Sequence, residues 1–168
     1  MGERADTERA GVGFHFERPL EIPTATLGEI ERLIRQGGAV GSSWVTENLR
    51  NALLIGYATD PLGEVIGTVT LKRQKPHYRK KLEAATGLDL AEYLERGYTS
   101  VAQAWRGCGI AGRLIAELIH RSPDQKVYVT IRMNNRPALE LTRKHGMMLA
   151  ATFYHEKTGH EIGLFINR

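Results

Sequence analysis

VAQAWRGCGIAGRL, residues Val101 to Leu114, is the stretch that decides how this chain reads. A strand ending near Val101 runs into a glycine-rich loop, and the loop opens into IAGRLIAELIHR. There Ile110, Leu114, Ile115, Leu118 and Ile119 recur with helical spacing, which predicts a helix. Gly107 and Gly109 carry no Cβ where the backbone would have to wrap closely around a ligand. The first N–H groups from Ile110 onward have no acceptor inside the helix and point back toward the loop. Together they form an anion site, to which the helix dipole adds about 0.3–1 kcal/mol for one negative charge. Arg106 and Arg113 can add salt-dependent attraction. A pyrophosphate suits several consecutive N–H groups better than a single carboxylate does, although the same residues also describe a tight strand-to-helix turn with no ligand. The segment is not a Walker loop, because it ends Ala-Gly-Arg rather than Gly-Lys-Ser/Thr. It fits the dinucleotide fingerprint only loosely, and it comes late in the chain, after a hairpin, rather than after a first strand.

Working outward, GFHFERPLEI predicts a first strand punctuated by Pro19 and Pro23. TLGEIERLIRQGG predicts a helix with Thr26 and Glu29 at capping-box spacing, an apolar face of Ile30, Leu33 and Ile34, and a stop at Gly37 and Gly38. Ser43 can cap a second, short helix through Trp44, Val45 and Leu49. ALLIGYAT and EVIGTVTLK predict a hairpin around Asp60-Pro61-Leu62-Gly63. KKLEAATGLDLAEYLERG reads as short helical pieces broken at Gly87 and Gly97, and YTSVA as a brief strand. VYVTI predicts a strand and RPALELTRKHG a helix with Pro137 in its first turn and Gly146 past its end. MLAATFY and HEIGLFI close the chain as a hairpin around Lys157-Thr158-Gly159. The order β-α-α-β-β-(insert)-β-α-β-α-β-β is that of a mixed α/β (α+β) sheet flanked by helices.

The 168 residues suit one domain, expected over 12–168, with 1–11 a flexible N-terminal segment. The only cysteine, Cys108, excludes an intramolecular disulfide framework and a thiolate metal cage, and it suits a reducing compartment. MGERADTERA alternates charges with no apolar core and does not read as a secretory signal. The longest uncharged stretch, Gln36 to Thr46, is far short of the roughly 18 apolar residues of a membrane span. A cytoplasmic protein without a membrane partner is expected. Lysine and arginine total 23 against 19 acids, a net charge of +4. The excess resides in LKRQKPHYRKK, with Lys72, Arg73, Lys75, Arg79, Lys80 and Lys81 and no acid; the rest of the chain is slightly acidic. Such a tract is commonly a solvated face. It can also bind a phosphorylated cofactor or a nucleic-acid backbone, and nucleic acid is the less favoured of these partners.

Arg106-Gly107-Cys108-Gly109-Ile110-Ala111 resembles the R/Q-x-x-G-x-G/A segment of the GNAT (Gcn5-related) N-acetyltransferase family. Asn135-x-x-Ala138-x-x-Leu141, ending Lys144-His145-Gly146-Met147, is similar to that family's N-x-x-A-x-x-L-Y-x-K-x-G-F segment. The element order matches across nearly the whole chain. The resemblance implies a mostly antiparallel central sheet splayed between its fourth and fifth strands, and acetyl-CoA as co-substrate. It implies that Val101, Arg106, Gly107, Cys108, Gly109, Ile110, Ala111, Gly112, Asn135 and Ala138 bind that co-substrate. The pantetheine would pair with the strand edge near Val101, and a backbone N–H there would polarise the acetyl carbonyl for direct attack by an amine. The acceptor is a small-molecule or macromolecular amine, and no metal is expected, since the histidines lack ligand spacing. A homodimer stays open.

The sequence departs from the family pattern where many members carry a Tyr that protonates the leaving thiolate: here that residue is Thr142. Tyr154 from the following strand, water, or unassisted departure are the alternatives. For the base, the histone-acetyltransferase branch places a Glu at an offset similar to Glu95. The local pattern instead favours Glu95 as the solvent-facing end of a helical piece AEYLER. Ser100 and Tyr98, on one strand face, either line the site or pack in the sheet. His145 reads as a last-turn partner for the negative end of its helix. Cys108 is a poor candidate nucleophile, because the resembled motif tolerates almost any residue there. The reading is an acetyl-CoA-dependent N-acetyltransferase acting on a primary amine; the alternative is a non-catalytic acyl-CoA-binding or regulatory module of the same fold. The basic tract would favour an acidic or phosphate-bearing acceptor, or help hold the CoA 3′-phosphate.

Overall fold

Asp60 closes the first hairpin as its turn chemistry requires. Its C=O accepts from Gly63 N–H at 2.9 Å and its Oδ1 from the N–H groups of Leu62 and Glu64. In the computed structural model, which describes residues 11–38 and 44–168, this turn joins β2 (Ala52–Thr59) to β3 (Val65–Lys72). Before them come β1 (Gly13–Glu17), a 3-10 turn at Pro19–Glu21, α1 (Thr24–Gln36) and α2 (Val45–Arg50). After them come α3 (Pro76–Thr86), β4 (Tyr93–Val101), a 3-10 turn at Gln103–Trp105, α4 (Ile110–Arg121), β5 (Lys126–Arg132), α5 (Arg136–Lys144), β6 (Met148–His155) and β7 (His160–Ile166). The strand order is β1-β2-β3-β4-β5-β7-β6, mostly antiparallel, with β4 and β5 parallel. This is the expected mixed α/β architecture. Most of the flexible N-terminal segment expected over 1–11, and the Ser43 cap, lie outside the described residues.

Contacts group the chain into two compact units, 1–72 with 98–122 and 73–97 with 123–168, so β4 belongs partly to each. In the first unit Ile30 and Ile34 of α1 and Val45 and Leu49 of α2 pack with Ile55 and Tyr57 of β2. Helix α1 starts two residues before the expected Thr26, with Pro23 as its N-cap and no side-chain cap. The capping box does not form, and Glu29 instead accepts the N–H of Val65 at 3.1 Å. A backbone donor at the start of β3 outcompetes the helix's own first turn. Helix α4 spans its predicted residues and buries Ile110, Leu114, Ile115 and Leu118, each contributing about 1.5–3 kcal/mol, while Ile119 is exposed. Gly67 permits the approach: a Cβ there would meet Ile110 Cγ2 at 2.7 Å and Leu114 Cδ1 at 3.3 Å.

In the second unit β5 alternates. Tyr128 packs with Leu82, Leu90 and Leu164, whereas Val129 and Ile131 pack with Leu139, Met147 and Phe165. Helix α3 ends at Gly87, which adopts φ 72° as its C-cap, in agreement with the predicted break. The second predicted helical piece, AEYLER, is not helical: Tyr93 begins a nine-residue strand, with Leu94, Glu95 and Arg96 buried. The basic tract also divides. Lys72 is buried at the end of β3, whereas Lys80 and Lys81 are exposed on α3 and Arg79 pairs with Glu83 at 3.8 Å.

Substituting Gly67→Val should lower stability by about 1–3 kcal/mol in urea unfolding, through overpacking against α4. Gly28→Ala, where a Cβ meets nothing within 4 Å on α1, should raise it by roughly 0.5–1 kcal/mol. Unchanged stability in Gly67→Val would contradict the seating of α4 on β3.

Candidate active site

Strand β4 reaches the loop through an irregularity. Tyr98 has φ 49°, the one non-glycine residue with positive φ among the described residues, a conformation that costs of order 1 kcal/mol or more. It is held from two sides: Asn48 Nδ2 donates to its hydroxyl at 2.7 Å, and Lys72 Nζ lies 3.9 Å from its ring centroid. The left-handed residue interrupts the two-residue alternation, so the shared face expected for Tyr98 and Ser100 does not follow from spacing. Ser100 Oγ donates to the C=O of Leu33 at 3.3 Å, at the end of α1.

Beyond Val101, Ala102 N–H donates to Ile66 C=O at 2.8 Å and Arg106 Nε to Val101 C=O at 3.1 Å, folding the chain back on itself. Gly107 and Gly109 then take φ 80° and 76°, and Gly109 is the N-cap of α4. Arg113 N–H to Gly109 C=O, at 3.1 Å, is the first helical hydrogen bond. The N–H groups of Ile110, Ala111 and Gly112 therefore have no acceptor within the helix, and Gly109 has no side chain to cap them. The Ile110 side chain is buried, so its backbone N–H is what it can offer a ligand. Cys108 is 7 % exposed, with Sγ 3.9 Å from Arg106 C=O, consistent with a packing position. Arg113 is not the loop cation that the sequence suggests: its guanidinium lies 4.0 Å from the ring centroid of Phe14.

In the second unit the parallel ladder pairs Tyr93, Leu94 and Glu95 with Lys126, Val127 and Tyr128 and ends there. Glu95, placed in solvent by the helical reading, is 8 % exposed and accepts the Tyr128 hydroxyl at 3.2 Å. Burial, and next the Glu95 charge, push the Tyr128 hydroxyl far above its usual range, so it stays protonated and orients the carboxylate. Arg96, the next residue, is 3 % exposed. Its Nη2 donates to Thr142 Oγ1 at 3.0 Å, while Nε and Nη1 have no hydrogen-bond partner. Burial alone brings its pKa down to about 10, so it remains a cation at neutral pH. A buried charge with no counter-charge normally costs several kcal/mol, which singles this residue out. Sequence reasoning missed it because LERG read as the end of a helix.

Asn135 caps α5, its Oδ1 accepting from Ala138 N–H at 3.3 Å, and Ala138 packs beside Leu139. Tyr154 is 64 % exposed on β6, the edge strand separated from β4 in the sheet order by β7 and β5. His145 lies just past α5 with Nε2 buried and unpartnered. Burial first, then the charges of Arg96 and Lys144, hold its pKa below the usual value. It is neutral at physiological pH and not the cationic helix partner its position suggested. The loop residues 106–112 thus belong with Val101 to the first unit, and Glu95, Asn135, Ala138 and Tyr154 to the second. Among the described residues no three His, Cys, Asp or Glu side chains cluster as a metal site, and no helix is long and apolar enough to cross a membrane.

A glycine loop that leaves three helical amides uncapped thus follows a parallel strand pair that stops after three residues. The profile of the Acetyltransferase (GNAT) family matches residues 36–147. The chain belongs to the GNAT acetyltransferase family. No curated protein matches it. Among solved structures it is similar to Arabidopsis thaliana NAA60 in complex with acetyl-CoA, with 20 % identity, 92 % of this chain and 98 % of that one covered, and a TM-score of 0.67. The same Arabidopsis protein with a bisubstrate analogue gives 20 % identity, 92 % and 97 % coverage, and 0.65. An IAA acetyltransferase from Bacillus cereus gives 16 % identity, 92 % and 97 % coverage, and 0.61. At these identities the likeness establishes the fold.

The depressed His145 pKa has a signed consequence. The unfolded chain binds a proton at this residue more readily than the folded one, so its contribution is intact above the unfolded value, about 6.5, and is lost as pH falls through the folded value. His145→Gln should therefore lose less stability than the wild type between about pH 7 and about pH 5, measured by urea unfolding at each pH. Parallel pH profiles would contradict the assignment.

Proposed function

We propose that the protein transfers the acetyl group of acetyl-CoA to a primary amine by direct attack, as one catalytic domain over residues 12–168. The observation that carries this reading is the glycine loop. Two positive-φ glycines open directly onto three uncapped helical amides, within the segment matched to the acetyltransferase family. In this reading the N–H groups of Gly107 to Gly112 receive the donor's pyrophosphate, with Cys108 as a filler of the loop. Arg106 stiffens the loop through its bond to Val101 C=O. Asn135, the N-cap of α5, and Ala138 in its first turn are further residues assigned to acetyl-CoA binding in this reading. An N–H near Val101 polarises the acetyl carbonyl.

Glu95 takes the amine's proton, directly or through water. A primary ammonium of pKa about 10.4 must lose that proton before it can attack. Its burial and the Tyr128 hydroxyl support the role, because both fix the carboxylate in one orientation. Ser100 is committed to Leu33 C=O and acts in positioning. Tyr154 is exposed enough to meet an acceptor at its own edge strand. The exposed cations of α3, Lys80 and Lys81, favour an acidic or phosphate-bearing amine. The solved relatives' names support the class of chemistry: one is in complex with acetyl-CoA, and the other is called an acetyltransferase.

The test is thiol release from acetyl-CoA across a panel of amines, alongside direct measurement of acetyl-CoA binding. Turnover with at least one amine is expected, and Glu95→Gln should lower kcat by about 10²–10⁴-fold with little change in KM for acetyl-CoA. Tight binding without turnover on any amine would instead identify a non-catalytic acyl-CoA-binding module.

A further inference from the structure

The strand order ends at β1 on one side and at β6 on the other, and the two edges differ in how they meet solvent. Strand β1 is five residues long and ends on the charged Glu17. Guanidinium groups lie over its two phenylalanines, Arg113 at 4.0 Å from the Phe14 ring centroid and Arg121 at 4.9 Å from that of Phe16. Strand β6, MLAATFYH, has eight residues and contains no lysine, arginine, acid or proline, the residues that ordinarily protect an open edge. Met148, Leu149 and Tyr154 are large, apolar and exposed along it. Its register with β7 shows which backbone groups face outward. Glu161 C=O accepts from Met133 N–H at 2.9 Å, so the backbone of Glu161 is directed toward the β5 side. In an antiparallel ladder the N–H and C=O of one residue point the same way. Tyr154 stands opposite Glu161 in a non-hydrogen-bonded pair, so its N–H and C=O face the open edge, as do those of Thr152 two residues earlier. The register shifts between Leu149 and Ala151, which leaves Ala151 to His155 as the regular run.

We propose that β6 is an interface between two copies of this chain, whose sheets join by antiparallel pairing of β6 with β6 about a two-fold axis at Phe153. Thr152 of one copy stands opposite Tyr154 of the other and exchanges both N–H···O bonds with it, and the symmetry repeats the exchange. The strand suits itself as a partner. It carries no charge, so no like charges are opposed, and Thr against Tyr is a β-branched–aromatic pair of the kind that stabilises neighbouring strands. Its flanks are complementary as well. Arg143 and Lys144, exposed at the end of α5, precede it, whereas Glu156 and Glu161 outnumber Lys157 after it, and all of these are exposed. An antiparallel arrangement brings the basic end of each copy toward the acidic end of the other. Side chains stand off the plane of a sheet, so the pairing uses the backbone of Tyr154 and not its hydroxyl. Nothing in this pairing depends on the acetyl-transfer reading.

The measurement is light scattering after size-exclusion chromatography at protein concentrations up to about 1 mM, with amide hydrogen exchange followed at the same concentrations. Wild-type protein should reach twice the chain mass, and the amides of Thr152 and Tyr154 should be protected wherever the dimer is populated. Thr152→Pro removes an outward N–H without touching the ladder to β7, and it should weaken dimerisation by at least about tenfold. Thr152→Lys keeps the N–H and places a charge on the edge; it should weaken dimerisation too, with the far-UV circular dichroism of the wild type. A wild-type chain that stays monomeric throughout would overturn the proposal without any variant having to fold. So would a dimer in which the Thr152 and Tyr154 amides exchange freely, since its interface would lie elsewhere. Protection of those amides in a monomer would overturn it as well, by placing a segment of the same chain on the edge.

Discussion

The close approach of Ile110 to Gly67, which has no Cβ, is the constraint from which the glycine loop follows. A side chain at Gly67 would meet Ile110 at 2.7 Å, so α4 can lie against β3 only because that position is glycine. Four buried aliphatics hold the helix there, and its first turn is then fixed with Gly109 in a left-handed conformation ahead of it. The amides of Ile110, Ala111 and Gly112 are uncapped because the residue before them has no side chain. Packing on one side of the helix thus positions an electrostatic feature at its end, and the feature requires no charged side chain. The stacking of Arg113 on Phe14 underlines this, since a cation that the sequence offers to the loop is spent on the sheet.

Strand β4 shows the complementary economy. Tyr98 is held in a left-handed conformation by Asn48 and Lys72, and just before it Glu95 and Arg96 are buried in succession. Adjacent residues of a strand point to opposite faces. One face receives a carboxylate oriented by the Tyr128 hydroxyl, and the other a guanidinium anchored on Thr142. A buried carboxylate and a buried guanidinium are therefore adjacent in sequence and kept apart by the strand itself.

The elements legible in the sequence were those whose burial follows a simple period. The apolar face of α4, the start of α5 at Pro137 and the turn at Asp60 were each written in local residue types, and each formed as read. The first half of strand β4 was illegible because two of its three buried residues are charged. Glu95 and Arg96 look like a solvated helix end unless the partners Tyr128 and Thr142, 33 and 46 residues away, are known. The capping box at Thr26 failed for a similar reason, since the N–H of Val65, 36 residues from Glu29, claimed its carboxylate. Of the candidate site, the loop was readable because one short segment contains both its glycines and its helix start. The Arg96–Thr142 pair was not, because it depends on a contact between two distant segments.

The most direct test of the central claim is an amide-resolved NMR titration of isotope-labelled protein with acetyl-CoA. The backbone amides of Gly107 to Gly112 should show the largest shifts, with those of Ile110, Ala111 and Gly112 moving as hydrogen bonds to the pyrophosphate form. Saturable acetyl-CoA binding that leaves those amides in place would contradict the assignment of the loop as the donor site.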